Sequence, residues 1–301
     1  MSAKRTSDNA LTLTSELKSP SPPTGFIRGT AYSLKAILSQ RELLSLLVQR
    51  EVKSKYKDSA LGLLWSLLRP LTQLVIYYVV IGQFLGAARS IPQFAIFVVA
   101  GLTAWTLFSE SVSSATHSIV GNSGLIKKIY IPREVFPLAA VGASLFNFLV
   151  QLGILIVATI ALGQFPVSSN LLLLPLGFLL LLTFGLAIGL FFAAVNVYMR
   201  DLQHLVEVLL IILFWASPVV YSFKFVTAAL GGGILEQIYL ANPISLGVMA
   251  FQKSLWAAGA DEVWPENLEL RIVIALIVSV GLLWISQRVF AKLEGNFAQE
   301  L

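Results

Sequence analysis

RELLSLLVQREVKSKYKDSALGLLWSLLRP, residues 41–70, changes character once, from charged and amphipathic to apolar, with no real break between. Leu44, Leu47, Val48, Val52 and Tyr56 fall on one stripe at helical spacing, and Leu43 and Leu46 widen it. Arg41, Glu42, Gln49, Arg50, Lys53 and Lys57 fall mostly on the other side, while Glu51 and Lys55 intrude on the apolar face. A helix of this kind offers one face to lipid tails and one to water or headgroups, so it is expected to lie in a membrane interface. A solvated amphipathic helix that merely precedes a span is the plainer alternative. Asp58 or Ser59 can cap a new helix, and from Leu61 the chain is apolar enough to cross a bilayer.

The rest of the chain fits a polytopic membrane protein. Of 301 residues, 56% are hydrophobic and 12% charged, against about 25% charged in a soluble domain. Lipid offers no hydrogen-bond partners, so long apolar runs must become helices or a closed barrel, and runs of about 20 residues favour helices. The expected fold is all-α, with six spans near 61–85, 93–117, 135–162, 171–195, 204–222 and 270–290. Pro218 interrupts the end of the fifth. Residues 1–33 are polar and carry SPSPPTG at 19–25, with no apolar leader segment, and are expected to form a disordered tail. The expected organisation is an interface helix over 34–59, a six-span domain over 60–292 and a tail over 293–301.

Charge sets the expected orientation. Residues 1–60 hold ten Lys or Arg, and Lys127, Lys128, Arg133, Arg200, Arg288 and Lys292 fall on the same side of the six-span layout. The opposite side has Arg89 in its first loop and a net acidic last loop, so both termini are expected in the cytoplasm. The net charge of +5 collects beside membrane segments, which points to anionic lipid rather than nucleic acid. With no cysteine and two histidines, His117 and His204, no disulfide and no metal site is expected.

Few residues suggest chemistry. Arg69 lies beside Pro70 in the first expected span, where a kink could let it meet an anion; snorkelling to headgroups is the alternative. Glu110 and Glu207 are expected to pair within the bundle. The chain has no phosphate loop of the form G-x-x-x-x-G-K-[ST], so it is not expected to bind ATP in that manner, and no catalytic residue is expected. Tyr77, Tyr78, Phe97 and Trp105 could line a glycan path, since rings stack on sugar C–H faces; interfacial aromatic belts are the alternative. GNSGLIKKIYIPREVFP, residues 121–137, offers Asn122 or Ser123 as a cap for a short helix that Pro132 ends. Its Leu125, Ile126 and Ile129 would form an apolar face beside Lys127 and Lys128 and Tyr130, shaped to dock on a soluble partner. Residues 223–260 read as short helices broken at Gly231–Gly233 and at Asn242-Pro243.

Taken together these stretches resemble one family, the membrane subunit of ABC exporters for lipid-linked polysaccharides (Wzm-like, type-2 exporter fold). The run from Arg41 to Trp65 resembles its interface helix, and NSGLIKKIYIP, Asn122 to Pro132, its coupling helix. MRDLQHL at Met199–Leu205, SPVVY at Ser217–Tyr221 and the Asn242-Pro243 pair follow in family order, while Ile131 stands where the family often has Phe. The resemblance implies a homodimer with two ABC ATPase subunits that bind ATP and Mg, in a bacterial inner membrane. It implies a coupling helix at 122–132, an outer gate at 223–260, and lateral access for a polyprenyl pyrophosphate along Arg41, Arg50, Lys53, Tyr56 and Lys57. The cargo would be a galactan or an O-antigen-like glycan. A membrane-embedded enzyme of lipid-linked glycan assembly and an ion-coupled secondary transporter are the alternatives.

Overall fold

The computed structural model describes residues 26–56, 64–128, 131–166 and 168–301. Among them every regular element is helical. The longer helices are α1 (Phe26–Ser39), α2 (Arg41–Tyr56), α3 (Trp65–Tyr77), α4 (Phe94–Gly121), α5 (Val135–Ala161) and α6 (Leu173–Asn196). They are followed by α7 (Leu202–Trp215), α8 (Phe223–Leu230), α9 (Ile234–Leu240), α10 (Pro243–Leu255) and α11 (Leu268–Leu293).

The centre is α6, which packs on α4, α10 and α11. Lipid gives no hydrophobic push between helices, so close backbone approach must supply the contact, and small residues allow it. A Cβ added at Gly189 would come within 2.7 Å of the Ala115 Cβ on α4, and one at Gly177 within 2.7 Å of the Ala250 Cβ on α10. Beside this seam lies an aromatic core in which Phe148 stacks on Phe178 and meets Phe251 edge-on.

Among the described residues, four helices are long and apolar enough to cross a membrane: Phe94–Gly121, Val135–Ala161, Ser169–Asn196 and Leu268–Asn296. A fifth crossing results if α9 and α10, bent by 75°, count as one. The first and fifth of the six expected spans are not among these. The first begins outside the described residues; α3 runs through Pro70 without ending, then widens into a π-helix over Tyr78–Phe84. The fifth stops at Trp215, and its 14 residues rise only ~21 Å against a ~30 Å hydrocarbon core. Pro218 lacks the N–H that the next turn would need and restricts Ser217 before it, so Ala216–Tyr221 leaves the helix.

Two further expectations are corrected. Phe26–Ser39 is a helix where a structureless tail was anticipated to reach residue 33. It leans on α11, where the Trp284 indole donates to the Thr30 hydroxyl at 2.9 Å, and Ser33 is buried. The apolar stripe of α2 does not face lipid alone. Leu47 is buried, Leu43, Leu44 and Val48 pack beside it, and Val48 fills the hollow above Gly142 of α5, while Leu46 remains exposed.

The breaks after α7 fall where the sequence placed them. Gly231 and Gly232 adopt φ of +65° and +72°, which glycine reaches without a Cβ clash. Asn242 caps α10 by accepting from the Ile244 N–H at 3.0 Å, with Pro243 in the first helical turn.

Candidate functional site

Where α2 crosses the Gly121 end of α4 and the start of α5, the helices leave a polar cavity of about 520 Å³. From α2 it receives Arg50, Glu51, Ser54 and Lys55. From α4 and the turn beyond it come Ser114, His117, Ser118 and Asn122, and Ala140 and Ala143 of α5 form an apolar floor. The α2 residues reach this point because its apolar stripe is pinned to α5, which brings Glu51 and Lys55 to the cavity wall.

Charge in the cavity is balanced. Arg50 Nη2 donates to Glu51 Oε1 at 2.6 Å and also to Asn122 Oδ1. Lys55 Nζ lies 3.6 Å from Glu110 Oε2, which also accepts from Asn147 Nδ2 at 2.7 Å. Glu110 is thus paired within the bundle, as anticipated, whereas Glu207 is exposed and meets His204 at 3.7 Å. The Arg50–Asn122 contact ties the amphipathic helix directly to the connection that follows α4.

That connection differs from its expected form. Its helix is a single turn, Ser123–Ile126, followed by a turn at Lys127 and Lys128. Asn122 makes no side-chain cap; its Nδ2 donates back to Ser118 O at 2.8 Å. Ile126, expected on a partner-facing surface, is only 7% exposed and packs into this chain's own core with Val135 and Phe136. Leu125 and Pro132 are half-buried, and Lys127 and Lys128 are exposed. Ile129 and Tyr130 lie outside the described residues.

The basic face splits likewise. Arg41 and Lys53 are exposed, while Arg50 is engaged in the cavity. Tyr56 ends α2, Arg69 lies in α3, and Lys57 lies outside the described residues. Phe97 is withdrawn from the candidate glycan path: it is 1% exposed, sealed by an edge-on contact with Trp256, whose indole donates to Pro92 O at 2.8 Å. Tyr77 stacks on Phe214, and Trp105 meets the same ring edge-on at 5.3 Å, so both are half-buried. Tyr78 is exposed.

Asn242 and Pro243 belong to a second polar cluster. Asn242 Nδ2 donates to Ser217 Oγ at 3.2 Å, and the buried Gln252 donates to Pro218 O at 2.8 Å and Val219 O at 3.3 Å. Together they hold the non-helical stretch after α7. At the opposite end of the bundle Glu134 is buried and accepts from Gln287 Nε2 at 2.6 Å; burial raises its carboxyl above the usual range, and that hydrogen bond, Arg288 and Ser33 pull it back.

Sequence reasoning did not assign Lys55, His117 or Gln252 to any site. For Lys55 a signal existed, because it broke the apolar stripe. His117 and Gln252 carry no local mark; only the packing of α4 beside α2 puts His117 at the cavity, and only that of α10 brings Gln252 to Pro218 and Val219.

Residues 42–256 match the family described as ABC-2 type transporter. The chain is similar to an O-antigen export system permease protein of Myxococcus xanthus, 31% identical over 268 residues, which is 89% of this chain and 98% of the relative. It is also similar to an O-antigen export system permease protein of Klebsiella pneumoniae, 26% identical over 86% of this chain and 95% of the relative. A polysialic acid transport protein of Escherichia coli is 25% identical over 60% of this chain and 70% of its own length.

Proposed function

The chain belongs to the ABC-2 type transporter family, and from that premise we propose that it is the membrane subunit of an ATP-driven exporter of polyprenyl-pyrophosphate-linked polysaccharide. The cargo class follows from relatives named for O-antigen export and polysialic acid transport; a galactan or an O-antigen-like glycan is the proposed polymer. Two copies pair, and two separate ATPase subunits dock beneath them and bind ATP and Mg. This chain contains no phosphate loop with which to hold nucleotide itself. The protein sits in a bacterial inner membrane with both termini in the cytoplasm. Each copy crosses it six times, α3 and α7 completing their passages within the assembled dimer.

The observation that carries the reading is the Arg50–Asn122 contact, which joins the basic amphipathic helix to the connection at 122–132. That connection is the coupling element: movement of the ATPase under Leu125, Lys127 and Lys128 passes through Asn122 into α2 and α4. Arg41 and Lys53, with Lys57 and Arg69, receive the pyrophosphate, because cations pair strongly with its oxygens. Tyr77, Tyr78 and Trp105 face the glycan at the dimer axis. Residues 223–260, including Asn242 and Pro243, form the outer gate.

The test is co-expression with candidate ATPase subunits from the same genome, followed by ATP hydrolysis in lipid with and without isolated lipid-linked glycans. A stable four-subunit complex whose hydrolysis responds to one glycan supports the exporter. If no ATPase associates, the reading fails. Within that complex Lys53→Glu is expected to reduce export about tenfold, the equivalent of one lost ~1.4 kcal/mol contact, with assembly unchanged. Export at the wild-type level would remove α2 from the access path.

A further inference from the structure

The cavity between α2, α4 and α5 has a hydrogen-bonding character that its basic neighbours obscure. The Ser118 hydroxyl donates to Ala115 O at 2.6 Å, and the Ser54 hydroxyl to Glu51 O at 3.1 Å. With their protons committed to backbone carbonyls, both oxygens turn lone pairs outward. His117 Nδ1 lies 2.8 Å from Ser113 O, and a carbonyl can only accept, so Nδ1 carries a proton; in the ring with that proton alone, Nε2 is an acceptor. Glu51 adds a carboxylate. Donors are present as well, on Arg50 and Lys55, but each of these cations already has a carboxylate partner, Glu51 and Glu110 respectively.

A phosphate or pyrophosphate brings negative charge and acceptor oxygens only. Here it would meet Glu51 and a wall of lone pairs, beside two cations whose charge is already shared with Glu51 and Glu110. A bare cation would find acceptors but also Arg50 and Lys55. A neutral ligand whose groups both donate and accept meets every requirement, and a sugar ring with adjacent hydroxyls is such a ligand. The volume of about 520 Å³ lies within the ordinary range for small-ligand sites. Ala140 and Ala143 offer an apolar floor against which the C–H face of a ring can rest.

We propose that this cavity is a binding site for a neutral sugar unit, placed beside α2 so that the glycan, and not the pyrophosphate, is read there. The assignment rests on the export reading for the source of the sugar. It separates two recognition tasks along one helix: Arg41 and Lys53 for the phosphates, and the cavity-lining Glu51, Ser54 and Lys55 edge for hydroxyls. Because Asn122 closes the cavity and accepts from Arg50, an occupied cavity also reports to the connection after α4.

Gly121 gives a clean way to fill the site. It lines the cavity, and a Cβ added there meets nothing within 4 Å, so Gly121→Leu adds bulk at the cavity wall without a clash at its Cβ. Ser114→Leu serves as a second filling variant, and a matched melting temperature qualifies either. Full-length protein in lipid nanodiscs is titrated with free galactose, glucose and mannose, and separately with inorganic pyrophosphate and with choline, and binding is read by saturation-transfer NMR. Transfer to the ring protons of at least one hexose is expected, about tenfold weaker in the filling variants and unchanged in Lys53→Glu. The proposal is overturned if no hexose shows transfer, if transfer is equal in the filling variants, or if pyrophosphate or choline displaces the hexose. The export reading is tested apart from it. Glycan export without hexose binding sinks only the cavity assignment, and hexose binding without any glycan export sinks the export reading.

Discussion

Gly101→Ala should destabilise this protein markedly, although alanine is the smallest change available and a better helix former than glycine. Gly101 lies inside α4, where a Cβ would come 2.3 Å from Val219 O and 2.9 Å from Gln252 Nε2. The first contact is with main chain, and Val219 is fully buried, so the carbonyl has nowhere to turn. Either α4 or the stretch Ala216–Tyr221 must shift, at about 1–3 kcal/mol for overpacking of this kind. A second glycine calibrates the measurement. Gly153 sits on the exposed side of α5 with nothing within 4 Å of an added Cβ, so Gly153→Ala should stabilise by up to ~1 kcal/mol through helix propensity alone. Thermal unfolding in lipid nanodiscs should therefore move in opposite directions for the two variants. A Gly101→Ala protein that melts with the wild type would mean that α4 does not press on this stretch.

Gln252→Leu is expected to have an effect of similar size by a different route. The side chain is buried on α10, and its amide donates to two carbonyls, Pro218 O and Val219 O. Leucine fills nearly the same volume and supplies no donor. Each buried carbonyl left without a partner costs about 1–3 kcal/mol, and no lipid group can replace the amide. Asn242 and Ser245, which bond to Ser217 Oγ and Ala216 O, would hold the upstream half of the stretch and limit the loss. Because Gly101 and Gln252 act on the same carbonyl, Val219 O, the double variant should fall short of the sum of the singles. Strict additivity would show that the two residues support separate features.

The two sites reveal how much the sequence could carry. Helix breaks were legible because they depend on local chemistry. Pro218 removes a donor, Gly231 and Gly232 accept a positive φ, and Asn242 with Pro243 starts a helix wherever it lies. The tie between α2 and Glu110 was half-legible: Lys55 and Glu51 broke an otherwise apolar stripe, and a charge on such a face needs a partner. Periodicity could not reveal what the apolar faces touch. In a membrane protein, lipid tails and the protein core ask for the same side chains, so Val48, Ile126 and Phe97 read alike whether they meet lipid, a partner or their own bundle. Val48 meets Gly142, Ile126 meets Val135 and Phe136, and Phe97 meets Trp256.

By itself the sequence determined that this is a helical membrane protein, where most helices begin and end, and which side of α2 is basic; its resemblance to ABC exporter subunits rests on the order of its motifs. Those features follow from composition, from turn chemistry and from residue order, none of which needs a second segment. Tertiary structure alone decided that the α2 stripe lies on α5, that Gln252 holds the stretch after α7, and that Arg50 reaches Asn122. Each of these is a contact between residues far apart in the chain, and hydrogen bonds and close packing at that range are set by the arrangement of the helices rather than by any one of them.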